Sequence, residues 1–409
     1  MRTILFVDDE PRVLEGLERM LHSMRHEWEM AFAEGGASAL ETLKAKPFDV
    51  VVTDMRMPGM DGPQFLREVR ERHPQIVRIV LSGHSDKGMI MKSVDSAHQY
   101  LSKPCTAESL KETVMRACAL RDLLENSSLQ QLVTKMDSLP SLPSLYCELV
   151  EELSSEEASI KKIGKIISRD LGMTAKILQM VNSAFFGLRR TVSNPAEACL
   201  LLGMDTIMSL VLTIHVFSQF KAKGLEGFSP DALWSHCIAV GRFAKHIAQM
   251  EQQDKQTIED SFTAGLLHDS GRVILAATLP DWYQESINLA LSEELSIIDA
   301  EREVFGTTHA EVGAYLLGLW GLPYSIVESV AFHHKPSQSP EEAFTPLMAV
   351  HIADYIEAES CSQRRKHEVS PPLDRDYLSR LKLAGRLPAW MEGCRRLGVE
   401  TLNIEVQNG

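Results

Sequence analysis

The chain has 409 residues, which is enough for two or three domains of ordinary size. Its formal net charge of -14 argues against a broad surface for nucleic acid or anionic membrane. The seven cysteines are scattered and form no CxxC pair, so we expect reduced thiols in a cytoplasmic protein. We expect neither a signal peptide nor a membrane span, because the apolar runs are short or interrupted by polar residues.

The first 120 residues alternate short apolar runs with amphipathic stretches. Such alternation predicts a doubly wound α/β domain with a five-stranded parallel sheet, as in flavodoxin-like folds. The predicted strands are 3–7, 29–33, 49–53, 77–81 and 99–101, and the predicted helices lie near 11–22, 36–45, 62–72, 86–96 and 106–120.

The pattern changes after residue 120. Residues 121–138 favour a helical linker, and the two prolines in LPSLPSL (139–145) mark a new domain. From 139 to 360 the apolar residues recur every three or four positions, which predicts an all-α domain. Residues 361–409 are interpreted as a peripheral C-terminal extension.

Polar residues follow the predicted strands of the first domain. Asp8 and Asp9 follow the first strand, Asp54 ends the third, Ser82 the fourth, and Lys103 comes just after the fifth. The carboxyl ends of parallel strands meet at one edge of a sheet, where ligands bind. Three carboxylates suit Mg²⁺, a carboxylate can accept a phosphoryl group, and a lysine and a hydroxyl can stabilise its oxygens.

The loop after Asp54 reads MRMPGMDG, and the backbone carbonyl of Arg56 could complete the shell of the metal ion. The alternative is that acids after strands are only helix caps. That is the better explanation for one aspartate, but not for five residues that follow four different strands.

These segments resemble the response-regulator receiver family over about 120 residues, through FVDDE, VVTDMRMPGMDG, VLSGHS and YLSKP. The resemblance implies that Asp54 is the phosphoacceptor and that Asp8 and Asp9 bind Mg²⁺. It further implies phosphoryl contacts from Ser82 and Lys103, a switch role for Tyr100, and a cis bond between Lys103 and Pro104.

The helical region is rich in histidine and aspartate. Imidazoles and carboxylates together suit Fe, Mn or Zn, and two such ions could activate water against a phosphodiester. A lone histidine in a helical domain is more often a core or capping residue, as we expect for His215, His246 and His351. The candidate ligands are His236, His268, Asp269, His309, His333, His334 and Asp354.

This region resembles the HDOD domain, a relative of the HD and HD-GYP phosphohydrolases, through LPSLPSLYCELVEEL, AGLLHDSGR, FGTTHAEVGAYLLGLWGLP and FHHKP. The resemblance implies a regulatory all-α module, and the seven candidates match the metal ligands of HD-GYP enzymes. Three features depart from those enzymes. One glutamate ligand is replaced by Ala232, a lysine by Arg272, and the GYP loop after the paired histidines is absent.

Two functions follow. The first is a response regulator, phosphorylated by a sensor histidine kinase, whose HDOD output acts by contact with an unknown signalling protein. The second is a metal-dependent phosphohydrolase or cyclic-dinucleotide phosphodiesterase that the receiver controls. Whether the chain is an enzyme therefore stays open. Whether it forms a homodimer is open as well. Direct DNA binding is disfavoured, because no basic helix-turn-helix is visible.

Overall fold

The computed structural model describes residues 1–82, 96–121, 129, 133–134, 136, 139–141, 143–153, 155, 158–182, 191–204, 207, 218–219, 225–339, 343–361 and 372–407. The chain divides into two compact units. The first comprises Met1–Ser138, Lys176–Val192 and Tyr315–Leu322. The second comprises Leu139–Ala175, Ser193–Ala314 and Pro323–Gly409.

The first unit contains the predicted parallel sheet, in the order β2-β1-β3-β4-β5. All four strand pairs are parallel, and the inner strands are buried on both faces, which explains their unbroken apolar runs. The strands are β1 (Arg2–Asp8), β2 (Trp28–Glu34), β3 (Val50–Asp54), β4 (Val77–Ser82) and β5 (Gln99–Ser102).

The helices between these strands also match the prediction. A 3₁₀ turn, His22–His26, follows the first of them. The helix predicted near 86–96 lies almost wholly outside the described residues. The others are α1 (Pro11–Met20), α2 (Gly36–Ala45), α3 (Gly62–Arg72) and α4 (Ala107–Arg121).

Only a few linker residues are described. Leu129, Val133 and Thr134, which lie in the linker predicted to be helical, are helical and buried. The carbonyl of Thr134 accepts hydrogen bonds from Arg78 Nη2 at 3.2 Å and from His98 Nε2 at 3.0 Å. Because Arg78 and His98 are both buried, these two donors hold the linker backbone within the first unit.

From residue 139 the described chain is helical, except for a parallel pairing of β6 (Pro140–Ser141) with β7 (Ser218–Gln219). Many helices begin at a proline after a polar cap. Ser229, for example, accepts a hydrogen bond from the Ala232 amide. The helices up to residue 319 are α5 (Pro143–Leu153), α6 (Ile160–Ile167), α7 (Leu171–Val181), α8 (Pro195–Leu202), α9 (Pro230–Met250), α10 (Lys255–Leu267), α11 (Ser270–Thr278), α12 (Pro280–Ser292), α13 (Ile297–Phe305) and α14 (His309–Leu319).

After residue 319 the described residues include four helices and two 3₁₀ turns, Pro336–Gln338 and Ala384–Arg386. We expected the C-terminal extension to be peripheral, but two of its side chains are fully buried. Trp390 is fully buried and donates from Nε1 to Glu251 at 2.8 Å, and Cys394 is fully buried as well. These helices are α15 (Tyr324–Phe332), α16 (Pro346–Cys361), α17 (Arg375–Arg380) and α18 (Leu387–Gln407).

In the part of the chain that the structure describes, none of the helices combines the length and the apolar character that crossing a bilayer would require.

Candidate functional site

Three charged residues meet at the carboxyl ends of β1, β3 and β5. The Lys103 ammonium donates to Asp8 Oδ2 at 2.8 Å and also to Asp54 Oδ1. Burial would lower the pKa of Lys103, but its hydrogen bonds to these two carboxylates raise the pKa above its ordinary value. Lys103 is therefore held as a cation beside the residue expected to accept the phosphoryl group.

The loop after β3 is fixed to the Asp54 carboxylate and to the next helix. The backbone amide of Arg56 donates to Asp54 Oδ2 at 2.6 Å. Asp61 and Gln64 form a capping box at the start of α3. Gly62 approaches the strand closely, since a Cβ at this position would lie 2.4 Å from the Asp54 carbonyl oxygen. A larger residue here would push the loop away from Asp54.

The remaining predicted receiver residues lie near this edge of the sheet. Asp9 is half-buried directly after β1, and Ser82 ends β4 opposite Ser102, although the Ser82 side chain lies outside the described residues. Tyr100 packs into the core, with 9% of its surface exposed. The predicted cis bond between Lys103 and Pro104 is present.

The second site lies among the ends of several helices in the second unit. All seven candidate ligands meet here and form two groups, within each of which the ligand atoms lie within 4.8 Å of one another. No other group of three or more such residues meets this criterion among the described residues, so the receiver carboxylates do not form one. The first group is Asp269, His309, His333 and His334, and the second is His236, His268 and Asp354.

Asp269 lies between the two groups. Its Oδ1 is 3.1 Å from His309 Nε2 and 3.8 Å from both His333 Nε2 and His268 Nε2. Its Oδ2 is 3.9 Å from His236 Nε2. Nitrogen ligands about 2.0–2.1 Å from a tetrahedral ion lie roughly 3.3 Å apart, which is close to these spacings. One carboxylate could therefore serve ions in both groups.

Four of the imidazoles are held through Nδ1, so that Nε2 faces the other ligands. His268 Nδ1 donates to the Gly265 carbonyl at 2.7 Å, and His333 Nδ1 to the Val330 carbonyl at 2.9 Å. The Nδ1 atoms of His236 and His309 instead lie 2.6 Å from carboxylate oxygens. This is how proteins orient imidazole ligands around a metal ion.

Those carboxylates belong to Glu357 and Glu301, which the sequence reasoning missed. Glu357 contacts His236, and Glu301 contacts both the ring and the amide of His309. A signal for Glu357 was present, because it lies three residues after Asp354 on one face of α16. Glu301 could not be found from spacing. Ala232, at the position of the missing glutamate ligand, is exposed.

The histidines differ in charge according to their partners. Burial would lower the pKa of His236 and of His309, but their carboxylate neighbours raise each pKa to about 10. Burial and neighbouring histidines lower the pKa of His333 to about 3. Burial is the main cause of the lowered pKa of His268. It also lowers the pKa of His334 well below its ordinary value. The carboxylate neighbours thus favour the cationic form of His236 and His309, whereas burial favours the neutral form of the other three rings.

The donor set fits transition-metal ions. His333 Nε2 is buried and has no hydrogen-bond partner among the described residues, although it faces Asp269. An unpartnered imidazole nitrogen in such a place costs free energy unless a cation or water meets it. Four buried acidic residues also surround these imidazoles, a concentration of carboxyl groups that a metal cation would stabilise; they are Asp269, Asp354, Glu301 and Glu357.

The centre is closed to solvent over most of its ligands. His268 and His333 are 0% exposed and Asp269 is 3% exposed, while His334 is half-buried. Arg272 covers Asp269 by donating to Oδ2 at 3.1 Å, and it also donates to the Tyr283 hydroxyl at 3.0 Å. Closed sites are typical of structural metals, whereas catalytic sites keep an open position.

Close packing at one glycine positions two of these ligands. Gly271 follows Asp269 by two residues, and a Cβ on it would lie 1.8 Å from the carbonyl oxygen of His309. The start of α11 therefore lies directly against the start of α14, which explains why the sequence HDSGR has glycine at this place.

Two family models match separate parts of the chain. The model of the response regulator receiver domain matches residues 4–115, and the model of the HDOD domain matches residues 139–336. An uncharacterized protein from Treponema pallidum is 26% identical over 218 residues, or 53% of this chain and 42% of that protein. The hydrogenase transcriptional regulatory protein HoxA of Cupriavidus necator is 40% identical over 123 residues, or 30% of this chain and 25% of that protein.

The chain therefore spans less than half the length of these curated relatives. Among solved structures, the MmoQ response regulator from Methylococcus capsulatus is similar at 28% identity with a TM-score of 0.46, covering 62% of this chain and 97% of that one. The receiver sheet and its motifs define a response regulator. The chain therefore combines a response regulator receiver domain with an HDOD domain.

Proposed function

We propose that phosphorylation of Asp54 controls the HDOD domain of this response regulator, which acts through contact with another protein. A receiver domain implies a sensor histidine kinase as the phosphoryl donor. The Asp54 oxygen attacks phosphorus as the bond from phosphorus to the kinase histidine breaks. The position of Lys103 supports the proposal, because its ammonium group donates to Asp54 and can also donate to the phosphoryl oxygens.

In this proposal Asp8, Asp9, Asp54 and the Arg56 carbonyl hold Mg²⁺, which neutralises phosphoryl charge when bound. Ser82 bonds the phosphoryl group, and the Tyr100 ring turns inward as the face of the domain changes state. The test is incorporation of label from acetyl phosphate in the presence of Mg²⁺. Label that maps to a residue other than Asp54 would refute the assignment.

We further propose that the seven-residue centre holds two transition-metal ions, Fe, Mn or Zn. We also propose that the protein is cytoplasmic. The main support is that Nδ1 of four histidines is hydrogen-bonded, while Nε2 of each faces Asp269 or Asp354. Elemental analysis of the purified full chain should find about two such ions per chain, as metal–imidazole geometry of this kind implies. A chain that stays metal-free after incubation with these ions would refute this part.

The second candidate is a metal-dependent phosphohydrolase, and the seven candidate ligands that meet in two groups favour it. Against it stand the burial of the ligands, the missing GYP loop, and Arg272, which cannot donate a proton as lysine can. Turnover of a cyclic dinucleotide or phosphomonoester by the metal-loaded chain would decide for the enzyme. Phosphorylation-dependent capture of one defined partner without turnover would decide for the signalling role.

A further inference from the structure

His351 joins the proposed metal centre to the C-terminal extension. Its Nδ1 donates to the carbonyl of His333 at 2.7 Å, and its Nε2 accepts from the backbone amide of Asp374 at 3.0 Å. The ring is 3% exposed, so both nitrogens are satisfied within the protein. His351 is therefore more than the ordinary core residue expected from the sequence.

The residues on both sides of this bridge are also fixed. His333 is held by its own ring, which bonds the Val330 carbonyl. Asp374 caps α17 by accepting from the Tyr377 amide at 2.8 Å. A motion of the His333 backbone would thus reach the first turn of α17 through one side chain.

A second contact ties α17 to the turn after the paired histidines. Arg380 Nη2 donates to the Ser339 carbonyl at 3.3 Å, and the Ser339 hydroxyl donates to the buried Glu328 at 2.9 Å. Tyr377 and Leu378, each 1% exposed, anchor the helix by burial. This turn follows the histidines directly, where HD-GYP enzymes have their GYP loop, and the match to the HDOD family model ends at 336.

We propose that the C-terminal segment (residues 372–383) senses occupancy of the group that contains His333 and His334. This inference rests on the proposed metal centre. An ion on His333 Nε2 fixes the ring and its carbonyl, which restrains His351 and strengthens the docking of α17. By thermodynamic reciprocity, docking of the segment raises metal affinity by the same factor, typically about 5- to 150-fold.

The experiment is hydrogen exchange of the full chain, with and without Zn²⁺, with metal content measured on the same samples. Zn²⁺ should slow exchange over 375–383 by about tenfold in the natural chain, a factor within that range. His351→Phe keeps a ring but removes both hydrogen bonds, so the slowing should disappear and Zn²⁺ affinity should fall by the same factor.

A matched pair separates the bridge from general loss of helix capping. Asp374→Ala loses the cap but keeps the amide donor, so part of the Zn²⁺ effect should survive. Asp374→Pro loses both, and proline suits the φ of -76° at this position. Ser379→Ala, on the exposed side of α17, should behave as the natural chain.

Each result decides the proposal. Equal Zn²⁺ protection in the natural chain and in His351→Phe overturns it, as does bound Zn²⁺ without any protection of 375–383. If the natural chain binds no Zn²⁺, Fe²⁺ or Mn²⁺, the metal content alone shows that the proposed centre has failed, and this inference falls with it.

Discussion

The receiver site and the histidine centre differ in donor atoms, in burial and in the backbone that holds them. The receiver site uses carboxylate oxygens at strand ends, with Lys103 between Asp8 and Asp54 and with Asp9 half-buried. The histidine centre uses ring nitrogens at helix ends, and most of its ligands are buried. Carboxylate oxygens suit a hard ion such as Mg²⁺, which keeps several waters. Buried nitrogens suit an ion that stays.

The strongest test of this contrast removes one function and leaves the other. Asp54→Ala should reduce incorporation of label from acetyl phosphate to background, because no other described carboxylate is bonded by both Lys103 and the Arg56 amide. The metal content of the histidine centre should be unchanged in the same preparation. Label that persists would contradict the role of Asp54.

The converse change is Asp269→Asn. Asp269 lies between the two groups, so its loss should weaken metal binding in both. The expected fall in affinity exceeds the roughly 10- to 100-fold loss typical of an outer partner. Titration with Zn²⁺ against a competing chelator measures it. Asp260→Asn, also a buried aspartate but bonded to Ser325, is the control and should bind normally.

A smaller effect should follow from the carboxylates behind the histidines. Glu301→Gln and Glu357→Gln remove the negative charge that orients His309 and His236, so each should lower Zn²⁺ affinity about 10- to 100-fold. Unchanged affinity in both variants would show that these contacts do not support metal binding. Phosphorylation of Asp54 should proceed normally in both.

The smallest effect concerns metal choice. Millimolar Mg²⁺ should change Zn²⁺ binding at the histidine centre by less than about twofold, since Mg²⁺ prefers oxygen ligands. The same Mg²⁺ should be required for phosphorylation of Asp54. Equilibrium dialysis measures bound Zn²⁺ in the presence of Mg²⁺. Displacement of Zn²⁺ by Mg²⁺ would show that the two sites do not differ in metal preference.

Much of the receiver was predictable, because strand ends in a parallel sheet determine where side chains meet. The five predicted strands match the observed ones to within about a residue at each end, and Lys103 lies beside Asp54 as expected. The sequence could not reveal that Lys103 also bonds Asp8, or that Arg78 and His98 bond the Thr134 carbonyl. Such contacts depend on the packing of distant segments.

The sequence predicted which seven residues would be candidate ligands of the histidine centre, but not the groups that orient them. His268 and Asp269 are adjacent, and the other ligands belong to recognisable segments. Glu301 and the carbonyls of Gly265 and Val330 act across helix ends, where no fixed spacing reveals a partner. The expectation of a peripheral tail was wrong because the weak helical pattern near Trp390 does not show what covers it.

The contact of Gly271 with the His309 carbonyl has a consequence for how such domains diverge. A histidine can be replaced without a clash, but a methyl group at 271 would push α11 and α14 apart. We therefore expect descendants that abandon metal to lose their histidines first and to keep this glycine. In such descendants, the glycine would indicate a shared fold. The presence or absence of the histidines would indicate whether the domain can still bind metal.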